Sequence, residues 1–310
     1  MKKYSIIVIL MLAFICTGAN AQGTRLPFFD PATGNIRMQT TELDALADTI
    51  AKVDHRVDDV SWYRIVYRIV DMRDKQNYRL YFPVRGDNPS YHSLFQVIMN
   101  AVCNGDVTPY ERGRELAPKY DRALDAEDLH ANTLLPKLDE AEPNVYLVDI
   151  NALGQPEINM DNYADYSKDV LKYIIQEIVF FDRHTSRMYT KIIGIAPLYA
   201  AHPDKAAAST ATQSLQYSIL FWVFWDELRP SLARQYAIPN DNGAQRLTYD
   251  EFFTQKLYSS YILGDENLFS RSLLDYERLV GEEKFEAYVK SEQARIENEL
   301  LNFEQDLWEY

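Results

Sequence analysis

The 310-residue sequence predicts an α+β fold, in which a mainly antiparallel sheet is packed by helices and a long amphipathic helix ends the chain. Three observations predict this class. Side chains alternate with the period of a strand in the middle of the chain, two neighbouring β-favouring runs are spaced as in a hairpin, and helical periodicity flanks them. Hydrophobic residues make up 47% of the sequence, enough to bury a sizeable core.

Residues 1–21 have the pattern of an export signal. Two lysines precede an apolar run over residues 6–15, and small residues after it predict cleavage between Ala21 and Gln22. The run is shorter than the roughly 18 residues that span a bilayer, so it is interpreted as a leader rather than an anchor. Cys16 follows bulky side chains, which argues against lipidation.

The next segments predict an arm, a helix and a strand. Residues 22–40 are rich in proline and glycine and predict an extended arm. Apolar residues recur at helical spacing over residues 42–55, which predicts a first amphipathic helix. The period then changes to two over residues 62–70, which predicts a strand with Arg64 and Arg68 on one face and mainly apolar groups on the other.

A second helix is predicted before a polar region. Ser90 is a plausible N-cap for this helix, and Gly105 closes it after Asn104. Residues 110–142 are dense in charge without a clear period, so loops and short helical turns are expected there. Residues 145–150 predict a short apolar strand of the main sheet.

A hairpin is predicted in the second half of the chain. Two β-favouring runs, 173–181 and 187–195, flank a turn at residues 182–186, and Pro197 is expected to end the second strand. The Ala-Ser-Thr-rich residues 200–214 predict a mobile surface loop.

That loop leaves two interpretations of the domain organisation. It could mark a domain boundary, but the hydrophobic pattern on either side gives no reason to divide the chain. Residues 41–310 are therefore predicted to form a single domain.

A buried strand and a capped helix follow the loop. Residues 219–225 form an apolar run that predicts a fully buried strand. Thr248 with Glu251 three residues later predicts a capping box, and the helix is expected to continue through Tyr261 until Gly264 stops it.

The C-terminal helix is predicted over residues 282–309. Its apolar seam has the alternating 4-3 spacing of a coiled coil, broken at Gln293. The seam consists of Val289, Gln293, Ile296, Leu300, Phe303, Leu307 and Tyr310. The helix either folds back on its own sheet or is offered to a partner, which makes Leu300 and Leu307 candidate partner-binding residues.

The charge balance argues against some classes of partner and suggests two more candidate partner-binding residues. The net charge is −14, with 46 acidic residues, which works against binding nucleic acid or anionic lipid. On such an acidic chain, the strand face with Arg64 and Arg68 could meet an acidic partner. Pairing of both arginines with the chain's own carboxylates is the alternative explanation.

No pattern of a catalytic, cofactor-binding or metal-binding site is recognised. The five histidines are scattered, and neither a phosphate-binding glycine loop nor a G-x-S-x-G turn occurs. The acids near residues 121–128 are expected by chance, and Asp182 and His184 lie at a predicted turn, where charged residues are normally solvated. After loss of the leader Cys103 is the one cysteine left, and its apolar context predicts a buried residue rather than a reactive thiol. We therefore expect no enzyme activity, no cofactor and no metal.

Four stretches in chain order carry a family signature. They read Tyr-Arg-Ile-Val-Asp-Met-Arg-Asp-Lys-Gln-Asn at 67–77 with Leu-Tyr-Phe-Pro at 80–83, Phe-Phe-Asp at 180–182 with Lys-Ile-Ile-Gly-Ile-Ala-Pro at 191–197, Leu-Phe-Trp-Val at 220–223, and Asn-Phe-Glu-Gln-Asp-Leu-Trp at 302–308. Together these stretches resemble the gliding-motility family GldN, called PorN in relatives that do not glide.

The resemblance implies a non-enzymatic periplasmic protein attached to the inner face of the outer membrane, without a membrane span of its own. Such proteins associate in a large ring of the type IX secretion system with an outer-membrane lipoprotein, GldK/PorK. They also meet the periplasmic part of the inner-membrane motor protein, GldM/PorM. The implied role is mechanical. The residues alone leave an alternative, an exported carbohydrate-binding or carbohydrate-acting protein, because the chain contains many tyrosine and tryptophan rings and abundant carboxylates.

Overall fold

A computed structural model describes residues 36–40, 51–85, 91–113, 118–136, 144–201, 216–238, 247–266 and 282–306. The predicted export signal with Ala21 and Gln22, nearly all of the predicted loop at 200–214, and Leu307 lie outside the described residues.

The described residues form sixteen strands and seven α-helices. In chain order the strands are β1 (Ile36–Thr40), β2 (Ala51–His55), β3 (Val60–Asp71), β4 (Pro109–Arg112), β5 (Pro118–Ala123), β6 (Leu134–Pro136), β7 (Asn144–Tyr146), β8 (Val148–Ile150), β9 (Pro156–Ile158), β10 (Val170–Asp182), β11 (Arg187–Ala201), β12 (Gln216–Ile219), β13 (Trp222–Phe224), β14 (Tyr236–Ala237), β15 (Leu247–Thr248) and β16 (Tyr261–Asp265). The helices are α1 (Tyr78–Tyr81), α2 (Leu94–Cys103), α3 (Ala126–Asn132), α4 (Met160–Ser167), α5 (Trp225–Ala233), α6 (Tyr249–Thr254) and α7 (Glu282–Asp306).

An eight-stranded antiparallel sheet organises the fold and confirms the predicted α+β class. Its strand order is β16-β3-β10-β11-β13-β4-β5, and β12 pairs with the end of β11. The predicted strand at 62–70 is the centre of β3, and the predicted hairpin is β10 and β11. In the register, Ile65 lies opposite Ile178 and Tyr67 lies opposite Gln176.

The two faces of this sheet have separate cores, because successive strand residues point to opposite sides. Val70 of β3 and Tyr173 of β10 belong to the largest core, which contains apolar residues of α1 to α6. Ile65, Ile69 and Ile178 belong to a second core on the other face. This arrangement buries β3 on both sides from Ile65 to Val70, apart from the half-buried Arg68.

Helix α2 begins and ends by standard capping. Ser93 accepts a hydrogen bond from the backbone of Gln96, so the N-cap is Ser93 and the predicted cap, Ser90, lies outside the described residues. Gly105 has a φ of 77°, and the N–H groups of Gly105 and Asp106 donate to the carbonyls of Val102 and Ala101. This is a Schellman ending, and it confirms the predicted stop at Gly105.

The helix predicted over 42–55 is wrong over its last five residues. Ala51–His55 is β2, which pairs with Ile36–Thr40 of the predicted extended arm. The other residues of the predicted helix lie outside the described residues. Helical spacing of apolar residues does not reveal a strand partner that comes from elsewhere in the chain.

The expectation of loops and turns over 110–142 missed strands β4, β5 and β6. The strand predicted at 145–150 is divided into β7 and β8, which pair with β6 and β9 in two small sheets outside the main sheet. Such short strands are specified by their partners more than by their own composition.

The strand predicted at 219–225 is also divided. Ile219 ends β12, β13 covers Trp222–Phe224, and Trp225 begins α5. Pro197 does not end β11. It lies where the strand paired with β11 changes from β13 to β12, so its missing N–H removes no hydrogen bond between strands.

The capping box at Thr248 and Glu251 is confirmed, but the helix it starts ends at Thr254. Lys256 adopts a φ of 52°, and the N–H of Leu257 donates to the carbonyl of Phe252, which is again a Schellman ending. The prediction of helix through Tyr261 is therefore wrong, since Tyr261–Asp265 forms the edge strand β16.

Candidate partner-binding surface

The side chain of Arg64 on β3 joins three elements. Its Nε donates to Asp265 of β16 at 3.0 Å, and one terminal nitrogen donates to Glu299 of α7 at 2.9 Å. Burial alone would lower the pKa of Arg64, but the hydrogen bonds to both carboxylates outweigh burial and raise it. Arg64 therefore stays charged, and its ion pair with Glu299 links α7 to the sheet.

Arg68 is bound to a buried carboxylate on the neighbouring strand. Its Nε donates to Glu177 of β10 at 2.9 Å, and the Tyr258 hydroxyl donates to the other oxygen of Glu177 at 2.9 Å. Glu177 is 1% exposed, so its charge is balanced inside the protein. Both arginines thus form the ion pairs with the chain's own carboxylates that were the alternative to partner binding.

Helix α7 rests on the sheet through the predicted apolar seam. Ile296 is fully buried against Val66, Val179 and Ile262, and Leu300 packs partly buried at the edge of this cluster. Of the two interpretations of this helix, folding back on its own sheet is the one observed over the described residues.

Two further contacts extend the seam in both directions. The polar residue in the seam, Gln293, donates from Nε2 to the carbonyl of Ile262 at 2.7 Å. Near the other end, the ring of Phe303 stacks on Trp62 with centroids 4.4 Å apart. The break in the apolar pattern at Gln293 therefore supplies a hydrogen bond to the edge strand.

The structure brings three of the four candidate partner-binding residues together. Arg64, Arg68 and Leu300 lie on the side of the sheet that α7 covers, and Leu307 lies outside the described residues. Their contacts are internal, and a role in partner binding stays a prediction for all four.

Sequence reasoning missed a surface made by residues 73–85, which we name the basic–aromatic segment. It has four basic residues and one acidic residue, in a chain that carries a net charge of −14. Tyr78 and Phe82 are 47% and 46% exposed, and their ring centroids lie 6.3 Å apart. The local excess of positive charge beside aromatic residues was the signal that could have identified it.

The predicted turn at Asp182 is more ordered than expected. Asp182 is buried rather than solvated, and its carboxylate lies 2.6 Å from Nδ1 of the buried His55. Burial alone would raise the pKa of Asp182, but hydrogen bonds from His55 and from the backbone of His184 outweigh it and lower the pKa. The expectation that Asp182 is simply solvated is therefore wrong, and the residue instead joins β2 to the β10–β11 turn.

Other residues considered for chemistry have structural roles. Among the acids at 121–128, Asp125 caps α3 by accepting from the N–H of Asp128 at 2.8 Å. Cys103 is half-buried, and burial raises the pKa of its thiol to about 11. Within the described part of the chain, no group of three or more His, Cys, Asp and Glu side chains is placed to hold a metal ion.

The family model of the gliding motility associated protein GldN matches residues 55–309. The chain belongs to the GldN family. No curated protein matches the chain.

Membership in the GldN family makes the chain a component of the gliding-motility and type IX secretion machinery. The matched range begins at His55 and includes the whole eight-stranded sheet and α7. No helix among the described residues is both long enough and apolar enough to cross a bilayer.

Proposed function

We propose that this GldN-family protein is a non-enzymatic scaffold of the type IX secretion and gliding machinery. In this proposal it is exported by residues 1–21 and lies in the periplasm, peripherally attached to the outer membrane. It forms a ring with the lipoprotein GldK/PorK and contacts the periplasmic part of the motor protein GldM/PorM.

The observation that carries this proposal is the attachment of α7 to the sheet. Gln293, Ile296, Glu299 and Phe303 contact the sheet at successive turns of the helix, through a hydrogen bond, apolar packing, an ion pair and ring stacking. A helix held at so many points moves with its sheet as one unit, because closely packed interiors deform little. Such a unit suits a component that passes force between neighbours.

Co-purification tests the proposal. The mature chain, starting at Gln22, is produced with and without GldK/PorK and the periplasmic part of GldM/PorM. The molar masses of the resulting complexes are then measured by light scattering. We expect a large assembly with the lipoprotein, and loss of secretion when the chain is deleted. A chain that stays monomeric, never co-purifies with either protein and is dispensable for secretion would contradict the proposal.

A pair of variants sharpens the experiment. Ile296→Asp places a charge in a fully buried apolar site and should release α7, which is expected to abolish assembly. Leu153→Asp makes the same kind of change at a residue that is 83% exposed, and should leave assembly unchanged.

The described tryptophans do not support the alternative carbohydrate-related function. Of the described tryptophans, Trp222 and Trp225 are buried in the core, and Trp62 is half-buried beneath Phe303. Their rings are used in packing, whereas binding of a sugar needs an accessible ring face.

A further inference from the structure

The basic–aromatic segment presents positive charge that the described residues leave unbalanced. Lys75 and Arg85 are exposed and Arg79 is half-exposed. Among the described residues no carboxylate forms an ion pair with any of these three, whereas Arg73 of the same segment is bound to Asp71. The segment therefore combines these three cations with the exposed rings of Tyr78 and Phe82.

Buried side chains of the basic–aromatic segment anchor its backbone to the rest of the fold. Asn77 is fully buried and donates to the carbonyls of Asp71 at 2.7 Å and Ser259 at 2.9 Å, while accepting from the N–H of Ser259. Leu80 is also fully buried, in the main core. An exposed aromatic pair on a fixed backbone loses little conformational entropy on binding, which is typical of interface anchors.

The outer side of α7 has the opposite character. Glu297, Leu301 and Glu304 follow one another by four and three residues, so they share one face of the helix. Leu301 is 53% exposed, and both glutamates are exposed without an ion pair among the described residues. Arg295, on the same helix, is already bound to Glu292 and Glu299. We name the three residues Glu297, Leu301 and Glu304 the acidic ridge.

The two surfaces lie at different positions along β3, because Glu297 follows Ile296, which packs on Val66 in the middle of the strand, and Glu304 lies near its start. Phe303, within the same helical turn as Glu304, stacks on Trp62 near the start of the strand, whereas the basic–aromatic segment begins after Asp71 at its end. An extended strand rises ~3.3 Å per residue, so roughly 17 Å separates Val66 from Asp71 and roughly 30 Å separates Trp62 from Asp71. One copy of the chain therefore cannot bring its own segment onto its own ridge.

We propose that the basic–aromatic segment of one copy binds the acidic ridge of a second copy, with Leu301 against Tyr78 and Phe82 and the glutamates beside Lys75 and Arg79. The proposal deepens the proposed function and rests on it, since a ring needs contacts between copies. Because the two surfaces differ, the contact is head-to-tail, and such contacts close into rings or continue as filaments. Opposite charges at the contact also offset the repulsion between two acidic chains.

Disulfide cross-linking tests the contact in cells that contain the intact machinery. Tyr78→Cys and Leu301→Cys are combined in one chain with Cys103→Ala, and the cells are treated with a mild oxidant. A head-to-tail contact is expected to give a ladder of dimers, trimers and larger species that reducing agent removes. Each single variant should give no ladder, and Leu153→Cys combined with Leu301→Cys is the control pair for random collision.

Charge reversal provides the second measurement. Lys75→Glu with Arg79→Glu should reduce the cross-linked fraction about tenfold, and so should Glu297→Lys with Glu304→Lys. All four changes in one chain should restore it, because the attraction is then inverted and not lost.

The outcomes separate this inference from the proposed function. Absence of a ladder in a chain that still co-purifies with GldK/PorK overturns the head-to-tail contact and leaves the scaffold proposal standing. Cross-links from the Tyr78→Cys thiol to an acidic segment of a different protein, in place of a second copy, also overturn it. A ladder in a chain that never binds GldK/PorK supports the contact and contradicts the scaffold proposal.

Discussion

A Cβ atom on Gly194 would lie 2.9 Å from the hydroxyl oxygen of Tyr120 and 3.1 Å from the carbonyl oxygen of Val223. The Tyr120 hydroxyl uses this space to donate to the side-chain oxygen of Gln176 at 2.6 Å. Gln176 in turn donates to the hydroxyl of Tyr67 at 3.1 Å. The glycine of the Lys-Ile-Ile-Gly-Ile-Ala-Pro stretch thus lets β5, β10 and β3 share one hydrogen-bonded chain across the sheet.

Gly194→Ala is therefore expected to destabilise the protein. The added methyl must displace both a tyrosine hydroxyl and a backbone carbonyl, and overpacking of this kind costs about 1–3 kcal/mol. The free energy of unfolding in urea measures the loss. Tyr120→Phe in the same chain removes the nearer clash, so the double variant should lose less than the sum of the two single variants. Additive losses would show that Tyr120 and Gly194 do not compete for this space.

Ile296→Ala is expected to lower the free energy of unfolding by about 2–4 kcal/mol, because it leaves a cavity between α7 and the sheet. The matched control is Leu301→Ala on the same helix, where the side chain is 53% exposed and the change should stay within about 0.5 kcal/mol. Equal effects of the two variants would mean that α7 does not rest on the sheet through Ile296.

The same reasoning applies to the charged variants of the seam. Leu300→Asp is expected to disrupt folding or assembly, because Leu300 packs against the buried cluster around Ile296. Leu307→Asp is predicted to act alike from its position in the seam. Secretion assays and thermal unfolding check both, and two stable, secretion-competent variants would contradict burial of the seam.

Arg229 of α5 and Asp250 of α6 form a fully buried ion pair with hydrogen bonds of 2.5 and 2.9 Å. Asp250→Ala leaves the guanidinium buried without a counter-charge, so the loss of stability should reach about 3–5 kcal/mol. Replacing both residues, Arg229→Met with Asp250→Leu, should cost clearly less, because no buried charge is left. A double variant that is as unstable as Asp250→Ala would contradict this explanation.

The lowered pKa of Asp182 predicts that this residue contributes to the loss of protein stability at acid pH. Its pKa is lowered in the folded protein, so its contribution to stability is present above the unfolded pKa of about 3.9 and is lost as the pH falls through the folded value. Unfolding in urea between pH 5 and pH 2 should therefore show a shallower pH dependence for Asp182→Asn. His55→Phe removes one of the hydrogen bonds and should flatten the same curve in part. Unchanged slopes in both variants would contradict the role of this pair.

Much of the candidate surface was visible in the sequence, but its contacts were not. The alternation over residues 62–70 placed Arg64 and Arg68 on one face, and the 4-3 spacing placed Leu300 in a seam with Ile296. The carboxylates that bind these arginines, Asp265, Glu299 and Glu177, come from distant parts of the chain. Nothing in local periodicity selects them among 46 acidic residues.

By itself the sequence determined the elements whose signals are local: the long β10–β11 hairpin, the capping box at Thr248, the stop at Gly105 and the C-terminal helix. Only the tertiary structure decided that Ala51–His55 and Tyr261–Asp265 are strands, that residues 144–150 belong to small sheets outside the main sheet, and that α7 lies on β3. The physical reason is that a short strand is stabilised by a partner elsewhere in the chain, whereas caps, turns and helical periodicity act within a few residues.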